Sequence, residues 1–365
     1  MGGGKPRRAS GRGGNPNRLP PPLHEFPPRH AHEHRGHEEP RASDGERPRG
    51  RPRPALRRHL RRGEEEAFGS LKILVTGAGG NIGRGVVPKL LALGHDVVLS
   101  DLNRLPDDEA TRDLPFHQLD VQAGFGLEKA AEGCDLILHT PAWHGIHWNQ
   151  KTEADFWRLN VDGAFWAFQA ARSAGISRFV FLSSQSWHGH YDKYGFTKRI
   201  GEELCEYHRR ANGIRYVTVR PADLTPWGND WPGRYGTRLL YGGVDREDVL
   251  DAVTLAVERL LKPLEGEAEG IVLDAVRANG FSAEDLAGWE EEPLATCERI
   301  FPGSAEIVAR YGLRIERKPS VVSSFSGWAE TGYAPSRHFG TFLEELRRIE
   351  ASGGEAAVRA MVCPY

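Results

Sequence analysis

The feature that most constrains the fold is a glycine-rich turn that joins a buried apolar run to an amphipathic segment. Residues 71–76 form a short apolar run, which is typical of a strand buried on both faces. Residues 81–93 carry apolar side chains at helical spacing. Between them, Gly77, Gly80 and Gly83 have the spacing G-x-x-G-x-x-G. The sequence therefore predicts a strand–loop–helix unit that is suited to a dinucleotide.

Each position of this loop has a physical role in binding a cofactor. The first glycine makes a tight turn, the second lets the backbone approach a pyrophosphate, and the third allows the helix to pack closely. The helix N-terminus then faces the phosphates with its positive end. The predicted cofactor contacts in the loop are Gly77, Gly80, Asn81, Ile82 and Gly83.

Strands and helices alternate after this unit. Continuous apolar runs predict five more strands, and helical spacing predicts long helices over 152–174 and 195–211. Such alternation implies right-handed crossovers and a parallel sheet. We therefore predict an α/β protein with a Rossmann-type, doubly wound parallel sheet. The five further strands are expected at 96–100, 116–119, 135–139, 178–182 and 216–219.

Acidic residues follow two of the predicted strands. Asp101 ends the second strand, where a carboxylate accepts hydrogen bonds from an adenosine ribose and repels a 2′-phosphate. This favours NAD over NADP, although Arg104 lies nearby, and an ordinary exposed Asp is the alternative. Asp120 and Val121 follow the third strand and are predicted to contact the adenine.

Tyr194 and Lys198 form the second strong signal. They are four residues apart, so on a helix they lie on the same face. A neighbouring ammonium favours the phenolate form of a tyrosine, which can then exchange a proton with a substrate hydroxyl. We predict that both residues are catalytic and that both also contact the cofactor.

The composition predicts four parts of the chain. Residues 1–70 are rich in Gly, Pro, Arg and His and are expected to be a disordered basic tail. Residues 71–263 are predicted to form the NAD-binding Rossmann domain and 264–350 a small C-terminal substrate-binding lobe. Residues 351–365 are expected to be frayed.

Cysteine usage and hydropathy exclude several classes of protein. The four cysteines are scattered along the sequence, which argues against a disulfide framework and favours a cytoplasmic location. There is no apolar run of about 18 residues for a membrane span. We expect no metal site, no specific nucleic-acid partner and no membrane contact.

Taken together, these motifs resemble the extended branch of the short-chain dehydrogenase/reductase superfamily, the NAD-dependent epimerase/dehydratase family. The resemblance implies that Ser184 hydrogen-bonds the reacting oxygen, with Ser183 as the alternative. It also implies that Asn160 lies near the active site, where it is predicted to contact the cofactor, and that the two long helices pair in a possible homodimer. The resembling residues are 76–83, Asp101, Asp120-Val121, 160–163, 182–184, 194–198 and Arg220-Pro221.

The substrate is predicted to be compact. The segment from Pro221 to Asp245 is short compared with the nucleotide-gripping segment of sugar-nucleotide enzymes in this family. A group of aromatic and histidine residues is expected either to form a stacking wall for a sugar ring or to be partly buried in the lobe. These residues are Trp143, His144, His147 and Trp148.

The sequence thus predicts an enzyme, an NAD-dependent oxidoreductase acting on a hydroxyl or carbonyl of a carbohydrate or sugar-acid-like small molecule. Two alternatives remain open. One is a nucleotide-sugar epimerase or dehydratase that recycles its cofactor internally, and the other is a non-enzymatic NAD-sensing regulator.

Overall fold

The computed structural model describes residues 69–106, 108–186, 192–224, 230–263, 269–277, 279, 281–322 and 325–363. The predicted basic tail lies outside these residues except for Gly69 and Ser70.

One parallel sheet organises the described chain. Seven strands pair in the order β3-β2-β1-β4-β5-β6-β9, and every pairing is parallel. The order reverses between β1 and β4, as in doubly wound sheets, so the predicted fold class is confirmed. The strands are β1 Lys72–Thr76, β2 Asp96–Asp101, β3 Phe116–Gln118, β4 Leu136–His139, β5 Arg178–Leu182, β6 Arg215–Pro221 and β9 Gly270–Ala275. Two short strands, β7 Asp223–Leu224 and β8 Gly243–Val244, pair separately.

Helices flank the sheet and build the C-terminal part. They are α1 Asn81–Ala92, α2 Leu127–Ala131, α3 Glu153–Trp157, α4 Gly163–Ser173, α5 Lys193–Asn212, α6 Thr237–Tyr241, α7 Arg246–Leu261, α8 Pro293–Ile300, α9 Ser304–Tyr311, α10 Trp328–Thr331 and α11 Phe339–Arg359. Helix α1 continues through Pro88. A π-helix, Arg158–Asp162, joins α3 to α4 within the predicted helix 152–174.

Two apolar layers cover the sheet because its strands alternate buried side chains between its faces. On one face, Val75 packs with α1 and α7. On the other face, Leu74 packs with Phe168 of α4 and Cys205 of α5. Burial on both faces explains why these strands are continuous apolar runs.

The C-terminal lobe has an apolar core of its own, but its boundaries differ from those predicted. Strand β9 falls within the range 264–350, yet it pairs with β6 at the edge of the main sheet. Conversely, Trp231 and Tyr235 precede residue 264, yet they are buried in the lobe core beside Phe342. The lobe is therefore built from two separate stretches of the chain.

The end of the chain also differs from the expectation of fraying from residue 351. Helix α11 runs to Arg359, with non-helical backbone angles at Gly354. Val358 is fully buried in the lobe core, and this burial holds the last turn in place.

Candidate active site

A cavity of about 910 Å³ opens at the carboxyl ends of the sheet strands, where ligands bind in folds of this type. It brings together ten of the twelve predicted site residues, and the two others, Gly83 and Asn160, do not line it. The ten are Gly77, Gly80, Asn81, Ile82, Asp101, Asp120, Val121, Ser184, Tyr194 and Lys198.

The glycine loop has the backbone that its spacing predicts. Gly77 has φ of +73°, a left-handed conformation that other residues rarely adopt. At Gly83, a Cβ atom would lie 2.4 Å from the carbonyl oxygen of Gly77, so only glycine allows this approach of helix to loop. Gly80 caps α1 without a side-chain hydrogen bond. The first turn of α1 therefore lacks a side-chain cap at the cavity, which suits an anionic phosphate.

The two acidic residues lie along the same cavity. Asp101 accepts hydrogen bonds from the backbone N–H of Gly79 at 2.9 Å and of Asn103 at 3.0 Å. It therefore fixes the glycine loop and still presents its carboxylate to the cavity. Asp120 accepts from the backbone N–H of Gln122 at 2.9 Å. The glycine loop, the helix terminus and these carboxylates together fit a nicotinamide dinucleotide without a 2′-phosphate.

Tyr194 stands in the first turn of α5, which begins after Asp192. The Asp192 carboxylate caps this helix by accepting from the backbone N–H of Gly195 at 2.7 Å. Burial raises the pKa of the Tyr194 phenol, and a side-chain hydrogen bond with Ser184 acts in the opposite direction. The structure thus joins the predicted base to the predicted orienting serine.

Ser183 and Ser184 have different partners, although both line the cavity. Ser183 Oγ donates to Glu202 at 2.5 Å, so its hydroxyl proton is directed to a carboxylate. Ser184 Oγ donates to Ser186 Oγ at 2.9 Å, and a side-chain hydrogen bond also links Ser184 to Tyr194. The link to the predicted base supports Ser184, the first choice from the sequence.

Lys198 is buried one helical turn after Tyr194, with 2% of its surface exposed. Its Nζ donates to the carbonyl oxygen of Leu182 at 2.6 Å. Burial lowers the pKa of Lys198 to about 7, and the nearby Glu202 carboxylate offsets part of this effect. The ammonium is therefore close to its titration point at neutral pH.

Asn160 contributes to the site indirectly. Its Oδ1 accepts from the backbone N–H of Trp143 at 2.8 Å, and its Nδ2 donates to the Trp143 carbonyl at 3.0 Å and to Thr197 Oγ1 at 2.9 Å. Its side chain is 1% exposed and within the π-helix. Protein groups thus contact both of its amide atoms, and the side chain connects the Trp143 backbone to α5.

The predicted aromatic wall lies at the cavity. Trp143, His144, His147 and Trp148 all line it. The His144 ring lies 6.5 Å from the Tyr194 ring between centroids. Burial lowers the pKa of His144 to about 4, so this imidazole is neutral at physiological pH. Neutral imidazole and indole groups suit the hydroxyls and apolar faces of a sugar.

Some lining residues have no signal in the sequence motifs. Asp223 and Arg238 form an ion pair at the cavity, and Arg238 lies in the segment between Pro221 and Asp245. Two other members of that segment, Trp231 and Tyr235, are buried in the lobe core and do not line the cavity. Only tertiary packing distinguishes Trp231 and Tyr235 from Arg238. The sequence therefore does not show which residues of the segment line the cavity and which are buried in the lobe.

Over the described ranges, no cluster of three or more His, Cys, Asp or Glu side chains is arranged to hold a metal ion. No helix within the described part of the chain has the length and apolar character needed to span a membrane.

Residues 73–230 match the model of the NAD dependent epimerase/dehydratase family. The chain is 24% identical over 266 residues to a UDP-glucose 4-epimerase from Lactobacillus helveticus, covering 58% of this chain and 78% of the relative. It is 27% identical over 171 residues to a uronate dehydrogenase from Pseudomonas syringae pv. tomato, covering 42% of this chain and 60% of the relative. The matched region thus spans less than two thirds of the latter relative.

A solved structure has the same fold. It is that of UDP-glucose 4-epimerase from Thermus thermophilus in complex with NAD, with a TM-score of 0.51, 18% identity, and coverage of 76% of this chain and 99% of that chain. At this identity the likeness shows the fold. The family match and the epimerase relative confirm the superfamily resemblance inferred from the motifs.

Proposed function

We propose that this chain, a member of the NAD-dependent epimerase/dehydratase family of the extended short-chain dehydrogenase/reductase superfamily, is an NAD-dependent oxidoreductase of a compact carbohydrate or sugar acid. The observation that carries the proposal is a single cavity shared by the glycine loop, Asp101 and the trio Tyr194, Lys198 and Ser184. A regulator that only senses NAD has no need of this trio.

NAD supplies the hydride acceptor when it is bound. The residues of the chain supply positioning and proton transfer. A side-chain hydrogen bond joins Ser184 to Tyr194, so a substrate oxygen that replaces this bond meets both hydroxyl groups. Tyr194 removes the hydroxyl proton during oxidation and returns it during reduction. The Lys198 ammonium stabilises the phenolate that this transfer requires.

The lining of the cavity supports a sugar-like substrate. The aromatic wall of Trp143, His144, His147 and Trp148 and the Asp223–Arg238 ion pair all line it. Aromatic faces stack on the apolar face of a sugar, while the ion pair donates to and accepts from hydroxyl groups.

The direct experiment is NADH formation by the purified full chain with NAD and a panel of free sugars, uronic acids and nucleotide sugars. We expect NADH with a free sugar or a uronic acid, and none from the matched Tyr194→Phe variant. NADH production only with nucleotide sugars would contradict the compact substrate. Equal turnover by the variant would contradict the proposed mechanism.

A second function is favoured by the match to a UDP-glucose 4-epimerase. In that case the chain returns the hydride to its substrate and releases no NADH. The test is to monitor a nucleotide sugar by NMR in the presence of the protein and NAD. Conversion into the epimer without NADH formation would establish this function and contradict the dehydrogenase.

We also propose a homodimer in the cytoplasm. The helical segment α3 to α4 and helix α5 expose large aromatic side chains, with Trp157 42%, Trp166 40% and Tyr207 60% exposed. These side chains belong to the helices that the family resemblance predicts to pair in a dimer, and this placement supports the proposal. Sedimentation should show a dimer that Trp157→Glu weakens, and a monomer at high protein concentration would contradict the proposal. The scattered cysteines support the location.

A further inference from the structure

The first residue of α7, Arg246, reaches the cofactor loop from outside the cavity. Its Nε donates to Asn81 Oδ1 at 2.5 Å and its Nη2 donates to the Asn81 carbonyl at 2.7 Å. Asn81 is the first residue of α1 and lines the cavity, whereas Arg246 does not. The guanidinium is 13% exposed.

The absence of a side chain at Gly85 makes this approach possible. A Cβ atom at Gly85 would lie 2.5 Å from Arg246 Nη2. Gly85 is one helical turn after Asn81, and its lack of a side chain leaves a channel along α1 that the guanidinium fills. The contact is thus built into the packing of the two helices.

The contact fixes the orientation of the Asn81 amide. Because Arg246 can only donate, the amide atom that it meets must be the oxygen. The Nδ2 donor of Asn81 is consequently the amide atom left for another acceptor. Asn81 stands beside Gly80, where the backbone is shaped for a pyrophosphate. A phosphate oxygen is an acceptor of the matching chemistry.

The charge of Arg246 leads to the same conclusion. A cation beside the positive end of a helix is unfavourable, whereas an anion there is stabilised. Glu247 Oε1 lies 3.5 Å from Arg246 Nη1, and this partly exposed carboxylate offsets some of the positive charge of Arg246. An anion at the first turn of α1 meets the helix dipole and the guanidinium together.

We infer that Arg246 is a positioning residue for the cofactor pyrophosphate, which it serves by orienting the Asn81 amide and by adding positive charge behind the phosphate site. The inference rests on the proposed placement of NAD in the cavity. Arg246 of α7 thus contributes to a cofactor-binding loop whose other residues come from positions 77–83.

The test is the Kd for NAD, measured by titration calorimetry, of the unaltered protein, Arg246→Met and Arg246→Lys. We expect Arg246→Met to weaken NAD binding about tenfold, as for the loss of a partly buried charge at a helix terminus. Arg246→Lys should recover part of the loss because it keeps the charge. In turnover assays KM for NAD should rise while kcat changes little.

Lys89 provides the matched control. It also joins α1 to α7, through Glu247 at 3.2 Å and Asp251 at 2.8 Å, but it is away from the cavity. Lys89→Met should lower the melting temperature without changing the Kd for NAD. If Lys89→Met and Arg246→Met weakened NAD binding equally, the role of Arg246 would be purely structural and the inference would be overturned. An unchanged Kd for NAD in Arg246→Met would also overturn it. An unaltered protein that binds no NAD would contradict the proposed function itself and remove the basis of the inference.

Discussion

Replacing Lys198 with methionine should stabilise the protein while abolishing its activity. Lys198 is fully enclosed, and burial lowers its pKa from 10.5 to about 7. Because the folded state disfavours the ammonium, folding at or below neutral pH carries an energetic cost. At about 1.4 kcal/mol for each pH unit of that shift, the cost is about 5 kcal/mol. Losing the hydrogen bond to the Leu182 carbonyl costs about 1–3 kcal/mol, so a net gain in stability of about 2–4 kcal/mol remains.

The sign of the pH dependence follows from proton binding. Between about pH 7 and about pH 10.5 the unfolded chain holds the Lys198 proton and the folded chain does not, so the stability of the unaltered protein rises with pH. Below about pH 7 both states are protonated and the cost is at its full value. The stability advantage of Lys198→Met should therefore be largest at about pH 6 and shrink by about 1.4 kcal/mol per pH unit above about pH 7.

Differential scanning calorimetry at one scan rate, at about pH 6 and about pH 9, measures this effect. Lys198→Met should melt about 5 °C above the unaltered protein at about pH 6, and this difference should be nearly lost at about pH 9. Lys89→Met is the control: partial burial lowers its pKa, but Asp251 and Glu247 raise it overall, so its melting difference should not change over this range. A Lys198→Met protein that melts below the unaltered one at both pH values would refute the reasoning.

Three further variants test the site. Tyr194→Phe should leave the Kd for NAD nearly unchanged and lower turnover by roughly 10²-fold, because only proton transfer is lost; unchanged turnover would exclude the phenol as the base. Asp101→Ala should reduce the preference for NAD over NADP in paired Kd measurements, since the carboxylate that repels a 2′-phosphate is gone, and equal affinities in the unaltered protein would contradict this role. Gly83→Ala should abolish NAD binding and lower the melting temperature, because its Cβ would meet the Gly77 carbonyl at 2.4 Å; normal binding would show that the loop relaxes at no cost.

Local patterns predicted the parts of the fold that depend on local chemistry. The glycine loop was found because left-handed backbone and close approach can be met only by glycine, as at Gly77 and Gly83. Five of the first six sheet strands were found because both of their faces are buried, which leaves continuous apolar runs. The edge strand β3, Phe116–Gln118, is only partly buried and has a weaker apolar signal.

Features that depend on distant packing were not predicted. The seventh strand, β9, pairs with a strand about fifty residues earlier, and nothing local separates it from the lobe to which it was assigned. Likewise, the place of Asn160 in a motif did not indicate which protein groups its amide contacts. The π-helix that turns it towards Trp143 and Thr197 has no local signature in the sequence.

The Asn160 amide fixes the position of the aromatic wall relative to α5, and this bears on how the substrate specificity of the enzyme can change. The amide forms two hydrogen bonds with the backbone of Trp143, where the aromatic wall begins, and one with Thr197, which lies between the two residues of α5 that we propose as catalytic. The wall is thereby fixed through its backbone at Trp143, and at its other end Lys193 Nζ of α5 donates to the Trp148 carbonyl at 2.8 Å. If the wall binds the substrate as proposed, we expect substitutions of its side chains to alter which substrate is accepted while the position of the wall relative to α5 stays constant. Recognition and chemistry can then vary separately as long as these backbone links are kept.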